Sequence, residues 1–143
     1  MKNIEWQVCS LEQAKKFKEL GIAQNGLFTT VYDSLNERWG YSGMSTEALS
    51  LLGKSNNASK EYYSVFTAAE LTLMIGRGVR RDRLWIQYCN DGCYCQVITL
   101  FEERITKEGE TEAIAKANML IHLIESGRID IESINERLAE VQR

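Results

Sequence analysis

Apolar positions along the chain switch between a spacing of three to four and a spacing near two. The first helical stretch opens at Ser10, which reads as an N-cap, with Gln13 three residues on to complete a capping box. Leu11, Ala14, Phe17 and Leu20 follow at helical spacing, and Gly21 sits where a left-handed residue ends a helix. The pattern predicts a helix over 10–20. Thr67-Ala68-Ala69-Glu70 repeats the capping box, Leu71, Met74 and Ile75 form an apolar face, and Gly76 and Gly78 stop it, predicting a helix over 67–75. Thr111 opens a third helix over 111–126. Ala113, Ala117, Leu120, Ile121 and Ile124 make its apolar stripe, and Gly127 ends it. Asp130 or Ser133 can cap a terminal helix carrying Ile134, Leu138 and Val141 on one side.

Between these lie strand-like runs. Residues 1–8 suit a short edge strand. Leu27 to Tyr32 is apolar, β-branched and aromatic; Asp33 to Glu37 reads as a turn, and Trp39-Gly40-Tyr41 as the return. Tyr62 to Phe66 is a short strand leading into the second helix. Leu84 to Cys89 and Tyr94 to Phe101 flank Asn90-Asp91-Gly92, and Asp-Gly between such runs predicts a hairpin over 84–101. Residues 42–60 are rich in Ser, Asn and Gly, interrupted by a possible short helix at 46–52, and read as a variable loop. Strands and helices mix without regular β-α-β alternation. The expected fold is α+β in one domain over 1–143, an antiparallel sheet containing the 84–101 hairpin packed by three to four helices.

Composition agrees with one globular domain: 143 residues, 44% hydrophobic, 26% charged. The complete lack of proline leaves Gly, Asn and Asp to mark the boundaries. No apolar run approaches the roughly 20 residues of a membrane span, so no membrane association is expected. The opening Met1-Lys2-Asn3-Ile4-Glu5-Trp6 has no apolar leader segment, so a cytoplasmic protein with reduced thiols is expected. A formal net charge of −3 argues against a dedicated nucleic-acid binder. The charge is uneven: residues 102–143 carry a net −4 and residues 1–101 a net +1.

Two constellations could carry chemistry. The first is Cys89-x-x-x-Cys93-x-Cys95. A structural zinc usually takes four ligands in two knuckles; here there is one cluster, with Cys9 and the single His122 distant in sequence. A two-residue hairpin loop separates Cys89 from the face carrying Cys93 and Cys95, and only a three-residue loop unites the three. Cysteine is also an ordinary buried residue, and structural thiols are the favoured reading. The second is Gly76-Arg77-Gly78-Val79-Arg80-Arg81-Asp82-Arg83, followed by Trp85. Arg77, Arg80, Arg81 and Arg83 could pair with phosphate and Trp85 could stack on a base. The competing reading is a solvated loop that offsets the acidic C-terminal helices, within the chain or across a dimer. His122 has no nucleophile or orienting carboxylate in a local motif and reads as a half-buried helix residue. No catalytic residue and no cofactor are expected.

Three blocks together resemble small uncharacterised proteins encoded in prophages and mobile elements of gut bacteria: Cys9 through Lys15 running to Glu19-Leu20-Gly21, Ser64 through Leu71, and Thr111-Glu112-Ala113 through Ala117-Asn118-Met119-Leu120-Ile121. The resemblance spans most of residues 9–125. Leu27-Phe28-Thr29-Thr30 is less aromatic than the corresponding segment of those proteins, which tend to carry Tyr where His122 stands. The resemblance brings no activity and no site residue; it implies a bacterial cytoplasm and a phage-related role. The expected function is a non-enzymatic accessory protein whose partner is another protein or a second copy, with Trp39, Trp85 and the C-terminal helix as contact surfaces. The alternative is a nucleic-acid-associated protein using the 77–83 arginine loop.

Overall fold

The computed structural model describes residues 7–33, 37–43, 61–76, 83–89, 92–98 and 103–141. The arginine positions 77, 80 and 81, most of the 42–60 loop and residues 1–6 of the expected edge strand lie outside them. Among the described residues the elements run in the order α1 (Leu11–Leu20), β1 (Phe28–Asp33), β2 (Arg38–Ser42), β3 (Tyr62–Val65), α2 (Ala68–Gly76), β4 (Arg83–Cys89), β5 (Gly92–Ile98), β6 (Arg104–Gly109), α3 (Glu112–Glu125) and α4 (Ile131–Val141). The class is α+β.

Helix boundaries follow local chemistry. Gln13 N–H donates to Ser10 Oγ at 3.2 Å and Ser10 N–H to Gln13 Oε1 at 3.0 Å, so the expected capping box is present. Gly21 closes α1 with φ 97°, a region that glycine enters without a Cβ clash. Thr67 and Glu70 make the second box. Thr111 Oγ1 accepts from Ile114 N–H at 3.2 Å. Between the two candidate caps of α4 the structure selects Asp130, whose Oδ1 accepts from Ser133 N–H at 2.8 Å.

The strands divide between two antiparallel sheets, ordered β2-β1-β3 and β4-β5-β6, where the sequence suggested one. The hairpin exists, but β5 starts at Gly92 and the register closes at Cys89 opposite Gly92, leaving two residues between the strands. β6 is absent from the sequence reading. Its run Arg104-Ile105-Thr106-Lys107-Glu108-Gly109 has Ile105 as its one buried side chain, too weak an alternation to announce a strand. Pairing with β5 and the packing of α3 on both strands hold it there. Of the expected N-terminal strand, the described part is an isolated bridge between Val8 and Thr67.

Among the described residues, a buried cluster joins both sheets to helices α1 to α4. Phe17, Val65, Phe66, Leu71, Met74, Val97, Met119, Leu120, Leu123 and Ile134 are all at 0–1% exposure within it. Phe17 and Phe66 meet edge-on at 5.8 Å between centroids, the geometry favoured by ring quadrupoles. Three amides and carboxylates add long-range ties. Gln13 Nε2 donates to Ile114 O at 3.0 Å and to Asn118 Oδ1 at 2.7 Å, fixing α1 to α3. Glu70 Oε2 accepts from Leu27 N–H at 3.1 Å, fixing α2 to the start of β1. Asn135 brackets the end of α1, donating to Gly21 O and accepting from Ala23 N–H.

Candidate functional site

The first sheet carries its aromatics in adjacent register. Tyr32 lies opposite Trp39, and Thr30 lies between Tyr41 and Tyr63. Positions 30, 32, 39, 41 and 63 share a face because side chains alternate along a strand. That face is the one α1 approaches. Trp39 is central: its ring centroid is 5.4 Å from Tyr32 and 5.9 Å from Tyr63, with tilts of 54° and 40°. The three rings are half-buried.

α1 places two ammonium groups over these rings. Lys15 Nζ is 5.3 Å from the Trp39 centroid and 5.8 Å from that of Tyr63; Lys18 Nζ is 5.1 Å from Tyr63. Positions 15 and 18 are one helical turn apart, and both residues are exposed. Each cation is within the distance at which ring quadrupoles attract charge. Trp39 stands out in the sequence as a contact residue, whereas Tyr32, Tyr63, Lys15 and Lys18 do not. The available signal was a Tyr and a Trp flanking one turn, which a hairpin sets face to face.

The thiols take another place. Cys93 and Cys95 are buried on β5, and Cys9 is buried before α1. The register sets Tyr88 opposite Cys93 and Ile86 opposite Cys95, while Cys89 pairs with Gly92, one step out of phase. Burial pushes the Cys9 and Cys95 thiols up to about 12, so both stay protonated and unreactive at neutral pH. Among the described residues, no three His, Cys, Asp or Glu side chains gather as a metal site. Two charges act on Cys95 against each other, Lys116 lowering and Glu112 raising its pKa; Lys116 is itself 7% exposed. Its Nζ donates to Thr72 Oγ1 and to Glu112 Oε1, the latter at 2.8 Å. These two bonds make Lys116 an internal brace between α2 and α3.

His122 lines an open groove of about 530 Å³ with Lys107, Asn118, Glu125 and Ser126. The groove brings a carboxylate near the histidine and no cysteine. Asn118 is committed there, donating to Glu108 O at 2.7 Å while accepting from Gln13. A smaller hollow of about 340 Å³ separates the starts of α1 and α3, lined by Cys9, Tyr41 and Glu110 among others. Its thiol already accepts from Phe66 N–H. Of the expected anion site, Arg83 and Trp85 lie on β4, with Arg83 paired to Ile98 and Trp85 to Gln96.

No family model, curated protein or solved structure matches the chain. Among the described residues, no helix is long and apolar enough to cross a membrane.

Proposed function

We propose that the chain is a non-enzymatic binding protein, an accessory factor of a prophage or mobile element acting in the bacterial cytoplasm, and that it binds another polypeptide through the Tyr32–Trp39–Tyr63 face. The observation that carries the reading is Trp39 held between two tyrosines with charged groups of α1 over the row. Rigid aromatics such as Trp and Tyr are enriched in contact patches, since they contribute large area at small entropic cost. The prophage setting is supported by the three resembling sequence blocks alone.

The test compares the polypeptides retained from host lysate by the wild-type chain, by Trp39→Ala and by Glu132→Ala, an exposed α4 position remote in sequence from the patch. Circular dichroism first checks that each variant is folded, and sedimentation identifies self-association. The expected result is a partner, or a second copy, retained by wild type and Glu132→Ala and lost with Trp39→Ala. An identical retained set for all three proteins refutes the reading.

A further inference from the structure

We infer that the Trp39–Tyr63 row is a receptor for an ammonium group, and that Lys15 and Lys18 are its internal placeholders. The inference rests on the contact face proposed above and specifies its partner: a polypeptide presenting a lysine or methylated lysine. Two observations converge. First, a cation already occupies the site twice, with Lys15 Nζ within 6 Å of two rings and Lys18 Nζ at 5.1 Å from one of them. Second, the Trp39 and Tyr63 rings are tilted at 40° rather than stacked flat, and Lys15 Nζ lies within 6 Å of both centroids, so a single ammonium reaches both rings, the contact by which aromatic side chains hold alkylammonium ions.

Exchange is physically accessible. Both lysines are exposed, and their four-carbon stems can swing the ammonium into water. An incoming quaternary ammonium is more weakly hydrated than a primary one, so it loses less on leaving water for the same ring faces.

The experiment uses the full chain and two probes of equal shape, choline and its uncharged isostere 3,3-dimethyl-1-butanol. The readout is the Trp39 indole N–H resonance, assigned by its loss in Trp39→Phe. A Lys15→Ala/Lys18→Ala double variant should show a saturable shift with choline, about fivefold tighter than wild type, the equivalent of one exposed cation–π contact relieved of competition. The isostere should give no saturable shift, and Tyr63→Leu should weaken choline binding. Equal response to both probes, or no saturation with choline in the double variant, overturns the inference. So does a fluorescent oligo-dT that binds the wild type and is lost with Trp39→Ala, because the rings then stack bases. Failure here is separable from failure of the binding reading: a Trp39-dependent polypeptide partner without choline binding refutes only the ammonium receptor, and choline binding without such a partner refutes only the polypeptide reading.

Discussion

Substitution of Gln13 sets a local rule against a tertiary one. Glutamate at the third position of a helix is as good as glutamine for a capping box, and its charge favours the helix N-terminus by about 0.3–1 kcal/mol. On sequence grounds Gln13→Glu is neutral or stabilising. The structure reverses the expectation. Gln13 is 7% exposed, and its amide nitrogen donates to Ile114 O at 3.0 Å and Asn118 Oδ1 at 2.7 Å. A carboxylate there faces two acceptors. Asn118 cannot resolve the conflict by turning its amide over, because its own nitrogen donates to Glu108 O at 2.7 Å. Gln13→Ala removes the back-bond to Ser10 and both donors, costing about 2–3 kcal/mol at about 1 kcal/mol per hydrogen bond. Gln13→Glu keeps the back-bond but leaves buried acceptors without donors beside a new negative charge, costing about 2–4 kcal/mol.

Urea unfolding followed by circular dichroism at pH 7 should therefore place Gln13→Glu at or below Gln13→Ala, with a midpoint about 1–2 M under wild type. The pH dependence has a definite sign. The introduced carboxyl is favoured protonated in the folded state, so its folded pKa rises above the ordinary glutamate value. The deficit is then smallest at pH 4 and grows as pH rises. Wild-type stability of Gln13→Glu at pH 7, or a deficit unchanged between pH 4 and pH 7, refutes the reasoning.

Gly109→Ala should cost about 2 kcal/mol or more in thermal unfolding, because the added Cβ would be 2.5 Å from Ala115 N and 2.8 Å from the Ile114 carbonyl carbon, backbone that cannot swing aside. A near-normal Tm would contradict the close approach of β6 to α3. Cys9 and Cys95 should resist iodoacetamide at pH 8 without denaturant and react once it is added, as peptide mapping by mass spectrometry reads; prompt native labelling of either contradicts their burial. Because both thiols titrate higher in the folded chain than in the unfolded one, stability should fall as pH climbs from about 9 toward 12, and less steeply in Cys9→Ala/Cys95→Ala. Asp130 is held below the ordinary carboxylate range by hydrogen bonds from Ser133, so its contribution is present above that range and lost as pH falls; Asp130→Asn should flatten the acid limb of the melting curve, and an unchanged limb would count against the cap.

The helices were legible because each is signed twice, by a cap and by a stripe. Ser10, Thr67 and Thr111 lie immediately before α1, α2 and α3, and Leu71, Met74 and Leu120 are buried as their spacing requires. The hairpin was legible from its turn residues. β6 was not, since Glu108 and Glu110 read as solvated surface and one isoleucine is no alternation. The face was half legible: Trp39 stands out in any sequence, whereas Lys15 and Lys18 look like ordinary lysines on the wet side of a helix until that helix is laid across Tyr63.

Sequence by itself determined where helices start and stop and which residues leave water, because caps, glycine dihedrals and apolar spacing act over four or five neighbouring residues. Tertiary structure alone decided that the strands form two sheets, that Gln13 must be an amide rather than an acid, and that two lysines meet a row of aromatic rings. Those outcomes depend on pairs such as Gln13 with Asn118 or Lys15 with Trp39, distant along the chain, whose energies exist only once the core has brought them within a few ångströms.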